Sequence, residues 1–250
     1  MLFKEEMISK NELRRKTIFS FSVFIVLIVL AIVGWKWLQK QPEDNGAVKP
    51  LRNVLYFNEG LFSKLFSSNH LAKTFPLSAA VHHVRVNGSD GLGEDFDVSA
   101  WKLKVARSPG DTLLVTLDEI KQLPKTEIVF DFKCIEGWSQ ITHWGGLKFS
   151  DFVKKFNLTD KTKLNYAGLV TPDKGYYVGI DMPSIMHPQT LLCYEMNGKP
   201  LPVNQGYPLR LIIPVKYGIK HLKRIGTIFF SNDRPADFWY EKGYDYYSGL

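Results

Sequence analysis

The sequence predicts a mixed, β-rich α+β domain behind one N-terminal transmembrane helix. An uncharged run of 19 residues, 17–35, predicts the helix, because as an α-helix it would span about 28 Å, close to the thickness of a bilayer core. Short alternating or apolar runs predict the domain's strands, and they follow no regular strand–helix–strand rhythm. The sequence holds no glycine-rich phosphate loop of the Walker or Rossmann kind.

The charges around the apolar run predict its orientation. Five Lys or Arg residues precede it and two follow closely, which favours a cytoplasmic N-terminus and an exported remainder. The predicted organisation is a cytoplasmic basic segment at 1–16, an anchor at 17–38, a linker at 39–50 and one domain at 51–250. A cleaved signal peptide is the alternative, although its Ala-x-Ala-like site is missing after the run. Arg14-Arg15 fits either a twin-arginine export signal or ordinary positive-inside residues.

Much of the chain's basic character lies in the membrane segment. Residues 1–40 hold seven Lys or Arg against three Glu, in a chain whose net charge is +7. The exported part is therefore close to neutral, and its charge does not indicate a nucleic-acid partner.

Local patterns predict the elements of the domain in chain order. Residues 58–75 form a helix or irregular segments, 101–105 alternate as a half-buried strand, and 125–133 form a strand. Thr116 and Glu119 form a capping box before a short helix at 117–123, which Pro124 stops. A second short helix is predicted at 149–156, and further strands at 163–170, 176–180, 191–196, 209–213 and 226–231.

Cys134 follows the strand at 125–133 and precedes a Gly-Trp turn. A lone cysteine there is either a small buried hydrophobe or a thiolate that binds a soft metal. The only other cysteine is Cys193, in an apolar run, so a Cys134–Cys193 disulfide is also open in an oxidising compartment.

The segment 196–232 contains six Lys or Arg and no Asp or Glu. Basic side chains and free backbone N–H groups in a loop indicate an anion site. A solvated basic face is the alternative.

Several motifs together resemble the sulfite oxidase superfamily. They are FKCIEGWS at 132–139 followed by WGG, MHPQTLL at 186–192, NGKPLP at 197–202 and GYPLRLIIPVKYGIK at 206–220. The Cys-x-Glu-Gly-Trp-Ser form is closest to bacterial periplasmic members. The resemblance covers about residues 80–247 and implies that family's fold and a molybdenum–molybdopterin cofactor, in the form that carries a terminal phosphate without a nucleotide.

The resemblance also implies which residues bind the cofactor. Cys134 is the thiolate ligand of the metal, and the neighbouring Lys133 is expected to lower its pKa. A contact is expected near Leu169 or Val170, with Thr171 displaced from it. The remaining cofactor-binding candidates are His82, Arg85, Asn87, Gln205, Arg210, His221, Leu222 and Lys223, with His83 a weaker one.

The implied chemistry is two-electron oxygen-atom transfer. The residues after Cys134 are not basic, which favours reduction of a small or protein-bound S- or N-oxide over sulfite oxidation. Glu136 and Trp138 are expected in supporting roles, and the substrate side could also include Tyr176, Tyr177 and Tyr217. The sequence has no Cys-x-x-Cys-His haem site, so we expect a redox partner protein, such as a membrane haem or quinone-linked subunit, at the periplasmic face of a bacterial cell membrane. The alternative is a non-catalytic, anchored binding module with a Cys134–Cys193 disulfide.

Overall fold

The structure is a computed structural model that describes residues 9–93 and 96–249. The first half of the predicted basic segment, with Lys4, lies outside the described residues. The α-helices in the described part are α1 (Lys10–Gln39), α2 (Lys49–Leu65), α3 (Leu117–Lys121), α4 (Phe149–Lys155) and α5 (Met182–Ile185).

The strands of the described part are short, with a bulge or irregularity in two of the pairings. They are β1 (Glu43–Asp44), β2 (Ala47–Val48), β3 (Leu103–Ser108), β4 (Asp111–Val115), β5 (Lys125–Lys133), β6 (Ser139–Lys148), β7 (Tyr166–Val170), β8 (Tyr177–Asp181), β9 (Leu191–Met196), β10 (Lys199–Pro200), β11 (Arg210–Ile212) and β12 (Thr227–Ser231).

Two sheets build the domain. One has the order β10-β9-β6-β5, and β11 also pairs with β9; the other has the order β4-β3-β12-β7-β8. All pairings are antiparallel except β3 with β12. The larger core cluster contains buried side chains of both sheets and of α4, such as Leu103, Leu192 and Phe152. The predicted mixed α+β, β-rich class is confirmed.

Helix α1 is the one described helix long and apolar enough to cross a membrane, with a mean hydropathy of 2.8 over its most apolar window. Ser9 caps it by accepting a hydrogen bond from the Glu12 backbone N–H at 3.2 Å. None of its residues is buried against the rest of the chain. The predicted apolar run therefore lies within a single continuous helix.

The segment expected as a linker is folded. Asn45 and Gly46 have positive φ and turn β1 into β2, as an Asn-Gly pair does in a tight hairpin. Added at Gly46, a Cβ would lie 2.7 Å from the Glu241 carbonyl oxygen, so the hairpin packs directly on the C-terminal segment. Arg52, fully buried, donates hydrogen bonds to backbone carbonyls on both sides of this contact. These contacts hold the segment expected as a linker, 39–50, against the C-terminal part of the domain.

Strand β6 was not anticipated from the sequence, yet it lies between β5 and β9. Its Gly146 passes so close to β9 that a Cβ there would be 2.3 Å from the Leu192 carbonyl oxygen. Glycine is required because two backbones meet at this point. The β5–β6 pairing ends at Lys133 and Ser139, which brackets the turn that carries Cys134.

Candidate functional site

One cleft gathers most of the predicted site residues. It encloses a cavity of about 120 Å³ and is partly open to solvent. Three segments form most of its walls: the loop at 84–90, the turn after β5, and the stretch from 205 to 223. Seven of the predicted residues line it: Arg85, Asn87, Cys134, Gln205, Arg210, His221 and Lys223.

Cys134 is presented by a tight turn. Its backbone N–H donates to the Trp138 carbonyl at 2.9 Å, and its carbonyl accepts from Gly137 N–H at 3.1 Å. Gly137 has a φ of 88°, which a residue with a side chain rarely adopts. The thiol is 6% exposed, and burial raises its pKa. The expectation that Lys133 lowers this pKa is wrong, because the Lys133 side chain is exposed and desolvation of the sulfur dominates.

A polar network lies beside the sulfur. Asn87 directs its Nδ2 to Cys134 Sγ at 3.7 Å and to Glu136 Oε2 at 3.3 Å. The same carboxylate oxygen accepts from Trp138 Nε1 at 3.0 Å, and these two hydrogen bonds lower the pKa of Glu136. The Arg85 guanidinium lies over the Trp138 ring, 4.7 Å from its centroid. Glu136 is thus an ionised carboxylate at the open side of the cleft.

Arg210 supplies a buried cation on β11. It donates through Nη1 to Gln205 Oε1 at 2.9 Å and to the Gln205 carbonyl at 3.1 Å, and its guanidinium lies 4.5 Å from the Trp144 ring centroid. Its Nε is buried without a hydrogen-bond partner among the described residues. Burial lowers the pKa of Arg210 to about 10, so the side chain stays charged at neutral pH.

Lys223 and His221 complete this cationic end. The Lys223 ammonium donates to the carbonyls of Asn87 and Gly88 at 2.7 and 2.9 Å, which ties the upstream loop to the basic segment. Burial and the nearby Arg210 lower the pKa of Lys223 to about 8. His221 is 3% exposed, and burial together with Arg210 lowers its pKa to about 3. Its ring is therefore neutral, with Nδ1 accepting from the Ile213 N–H at 3.4 Å and Nε2 left to donate to a carbonyl at 3.1 Å.

Two predicted cofactor-binding residues are not among those that line the cleft. His82 is exposed, and its carbonyl accepts a hydrogen bond from Asn197. Leu222 is fully buried in the larger core cluster, and its carbonyl accepts from the Leu211 N–H. His83, the weaker candidate, is also exposed.

Leu169 and Val170, near which a contact is expected, and the neighbouring Thr171 line a second cavity and are not among the residues that line this cleft. Of the substrate-side tyrosines, Tyr176 lines the cleft and donates to the Ile219 carbonyl at 2.6 Å. Tyr177 lines the second cavity, and Tyr217 lines neither.

Sequence reasoning missed the C-terminal part of the wall. Trp239 and Tyr244 line the cleft, and their rings are 5.1 Å apart in an edge-to-face arrangement. The aromatic density of the last fifteen residues was the available sign of a packed wall rather than a tail. Thr142 was also missed; it lines the cleft and accepts from Trp144 Nε1 at 2.7 Å.

Cys193 is a free, fully buried thiol in β9, as is expected if Cys134 is not in a disulfide. Its sulfur lies 3.1 Å from the Gly145 carbonyl, and burial raises its pKa to about 12. Cys134 is free as well, so the structure holds no Cys134–Cys193 disulfide.

The sequence profile of a family described as oxidoreductase molybdopterin binding domain matches residues 91–239, more than half of the chain. The chain belongs to this family. The resemblance to the sulfite oxidase superfamily is thereby confirmed, and the chain is a molybdopterin-dependent oxidoreductase. The matched region contains the turn of Cys134 and the whole basic segment.

Individual relatives in the oxidoreductase family cover the chain to different extents. The chain is 32% identical over 209 residues to the protein-methionine-sulfoxide reductase subunit YedZ1 of Azospira oryzae, whose name marks the assignment as provisional; the match covers 83% of this chain and 79% of that protein. It is 31% identical over 162 residues to the protein-methionine-sulfoxide reductase catalytic subunit MsrP of Campylobacter jejuni, and 34% over 160 residues to that of Xanthomonas axonopodis.

Those two matches cover 59% and 58% of this chain and 54% and 49% of the relatives, so the chain spans about half the length of the MsrP proteins. Among solved structures, the sulfane dehydrogenase SoxCD of Paracoccus pantotrophus aligns with a TM-score of 0.50 at 15% identity, over 67% of this chain and 46% of that chain. This likeness shows a shared fold.

Proposed function

We propose that the chain is a membrane-anchored, extracytoplasmic molybdenum oxidoreductase that reduces an S-oxide, with Cys134 as the protein thiolate on the metal. The observation that carries the proposal is the position of a free thiol on a cleft that is also lined by the buried Arg210 and the half-buried Lys223. Thiolates are preferred ligands of soft metal centres. The raised pKa of the Cys134 thiol means that metal binding would have to displace its proton.

The inner end of the cleft fits the phosphate of a pterin cofactor. The buried Nε of Arg210 has no hydrogen-bond partner in the described part of the chain, and a phosphate oxygen is the kind of acceptor that this group lacks. Lys223 adds a second cation, and Gln205 adds a side-chain amide that is 3% exposed. Since this end is closed by buried side chains, we propose the form of the cofactor without an attached nucleotide.

We assign different tasks to the two ends of the cleft. Arg210, Lys223 and Gln205 hold the anionic group, and neutral His221 braces the backbone between 213 and 216. Arg85, Asn87 and Glu136 surround the open side near Cys134. When bound, the cofactor supplies two-electron oxygen-atom transfer; overall, a sulfoxide, two electrons and two protons give a thioether and water.

The open side favours a neutral substrate over sulfite. Hydrogen bonds from Trp138 and Asn87 keep Glu136 ionised, so an incoming sulfite anion would meet a like charge near the Cys134 sulfur. The aromatic wall of Trp239 and Tyr244 suits an apolar thioether chain such as that of methionine. The relatives named as methionine-sulfoxide reductases support the same substrate class, either free or within a protein.

The proposed location and partner follow from the N-terminus and the electron balance. Helix α1 would anchor the chain, with the basic segment cytoplasmic and the domain at 51–250 in the periplasm. Two electrons per turnover must come from another protein, for which we propose a membrane haem or quinone-linked subunit. Relatives whose names include the word subunit are consistent with such an assembly.

The test uses the full chain expressed in a host that makes the molybdenum cofactor. We expect stoichiometric molybdenum in the purified protein and reduction of methionine sulfoxide with a dye as electron donor. Cys134→Ser should abolish turnover, whereas the matched variant Cys193→Ala should retain it, since that thiol is buried away from the cleft.

Three results would contradict the proposal. Metal-free protein from the competent host would favour the binding-module alternative. Wild-type turnover by Cys134→Ser would remove the thiolate from the chemistry. Oxidation of sulfite without any oxide reduction would reverse the proposed direction.

A further inference from the structure

We infer that one face of α2 lies in the lipid headgroup region of the bilayer that α1 crosses; the inference rests on the membrane anchoring proposed above. This face, here termed the α2 stripe, consists of large apolar side chains that the rest of the chain leaves uncovered. Their exposed fractions run from 44% to 70%. The members of the stripe are Leu51, Val54, Phe57, Leu61, Phe62 and Leu65.

Helix α2 is amphipathic, but its polar face packs on the domain and its apolar face points away from it. At 3.6 residues per turn the stripe covers about 140° of the helix surface, a width that a core-facing helix would bury. Here the opposite side meets the domain with polar groups: Arg52 is fully buried, and Glu59 forms an ion pair with Arg234 at 2.5 Å. The domain therefore takes the charged face of α2 and turns the apolar face outward.

The apolar face is also close in the chain to the proposed bilayer. The Lys49 backbone N–H, at the first residue of α2, donates to the Pro42 carbonyl at 2.8 Å. Because the hairpin between Pro42 and Lys49 folds back on itself, this contact lies only three residues along the chain from the end of α1 at Gln39. Three residues reach about 10 Å, so α2 begins within about 15 Å of the end of α1.

The charges of α2 suit a lipid surface. Its two exposed charged side chains, Lys49 and Lys64, are both cationic and lie outside the stripe. Phe and Leu on one face with a Lys at its edge, as Lys64 is here, is the pattern of helices that lie in the interface of a bilayer containing anionic lipids. A helix of a partner protein is the competing occupant, but the bilayer is the apolar medium that the position of α1 already supplies.

The test measures whether the stripe contacts lipid in the full chain. The chain is reconstituted in vesicles of phosphatidylethanolamine and phosphatidylglycerol, with a fluorescent label on Leu61→Cys or, as the matched control, on Ser63→Cys. Ser63 is exposed and lies on the opposite side of the same helix turn. The unsubstituted chain gives the labelling background of Cys134 and Cys193, which are 6% and 0% exposed. Nitroxide on the lipid chains and iodide in the buffer serve as quenchers.

We expect nitroxide lipid to quench the Leu61 label several-fold more than the Ser63 label, and iodide to show the opposite order. Equal quenching at both positions in vesicles that float with the protein would overturn the inference and leave the anchoring intact. A Leu61 label shielded from both quenchers would indicate a protein partner or a second copy and would also overturn it. Protein that fails to float with the vesicles would overturn the anchoring and the inference together.

Discussion

Arg52 links the β1–β2 hairpin to the C-terminal segment, and its removal should release that contact. Its guanidinium donates to the carbonyls of Asp44 at 3.1 Å and Asn45 at 2.6 Å in the hairpin. It also donates to those of Tyr240 at 2.9 Å and Tyr244 at 2.7 Å across the contact. In Arg52→Met the side chain keeps much of its volume but loses all four hydrogen bonds.

The expected cost follows from the bonds that water cannot easily replace. A hydrogen bond from a charged donor contributes about 1.5–3 kcal/mol, and the hairpin carbonyls regain water once the hairpin detaches. The two bonds across the contact, to Tyr240 and Tyr244, then set the loss at about 3–6 kcal/mol in the free energy of local opening. A loss of 3 kcal/mol corresponds to exchange of the protected amides about a hundredfold faster.

Native-state hydrogen exchange read by mass spectrometry measures this directly in the peptides that contain 43–48 and 240–244. Arg52→Lys should be intermediate, since one ammonium cannot reach four carbonyls. Arg107→Met is the control, because Arg107 pairs with Asp111 at the surface and should leave these peptides unchanged. Exchange in Arg52→Met within about threefold of wild type would refute the assignment of Arg52 as the clamp.

Three further predictions concern the close approach of β6 to β9, the buried histidine and substrate choice. Gly146→Ala should lower the free energy of unfolding by about 3 kcal/mol in urea titrations, because the new Cβ meets the Leu192 carbonyl. The control Gly145→Ala faces a flexible glutamate and should lower it by less than about 1 kcal/mol. Equal losses in the two variants would contradict the steric reason given for Gly146. His221 has a pKa of about 3 in the folded chain and near 6.5 in the unfolded chain. As the pH falls below about 6.5, only the unfolded chain takes up a proton on this imidazole, and the free energy of unfolding therefore declines. His221→Gln should therefore lose on the order of 3 kcal/mol less than wild type between pH 7 and pH 4, and parallel losses would exclude this residue as the cause. In steady-state kinetics, Glu136→Gln should strengthen inhibition by sulfite and leave the KM for methionine sulfoxide within a few-fold; unchanged inhibition would show that the carboxylate does not select against anions.

The parts of the fold that sequence predicted best are those whose pattern is local. The strand at 191–196 and the capping box of Thr116 and Glu119 have the predicted bounds and hydrogen bonds. In both, adjacent residues carry the whole signal. The turn that presents Cys134 was equally readable because a Gly-Trp pair follows a β-branched run.

The parts that sequence missed depend on distant partners. Strand β6 was hidden because its glycines, needed where its backbone lies close against that of β9, break the alternation of a strand. The Asn45-Gly46 hairpin carries a strong local signal but has only two residues per strand, so its surroundings looked like a linker. The burial of Arg52 could not be anticipated, because nothing near it in sequence indicates that four carbonyls from two segments converge on it.

The candidate site divides in the same way. Ordered motifs led to Cys134 and Arg210, where the chemistry requires one residue type at a fixed place. The motifs did not lead to Trp239 and Tyr244, because the wall of a cleft requires only large aromatic side chains, which many different sequences supply. His82 and Leu222 show the converse, since a position within a motif does not determine which way a side chain points.

The hairpin clamp has a consequence for electron delivery. A flexible linker of about ten residues would let the domain reorient freely relative to a membrane. An electron donor in the bilayer would then react only in those orientations in which the cleft faces it. Here Arg52 donates hydrogen bonds to the carbonyls of Tyr240 and Tyr244, which lie on the same short segment as Trp239. Trp239 and Tyr244 line the cleft. The mouth of the cleft thus keeps a fixed orientation relative to the hairpin at 43–48. In the membrane-anchored enzyme that we propose, a membrane-embedded donor would therefore meet the same face at every turnover.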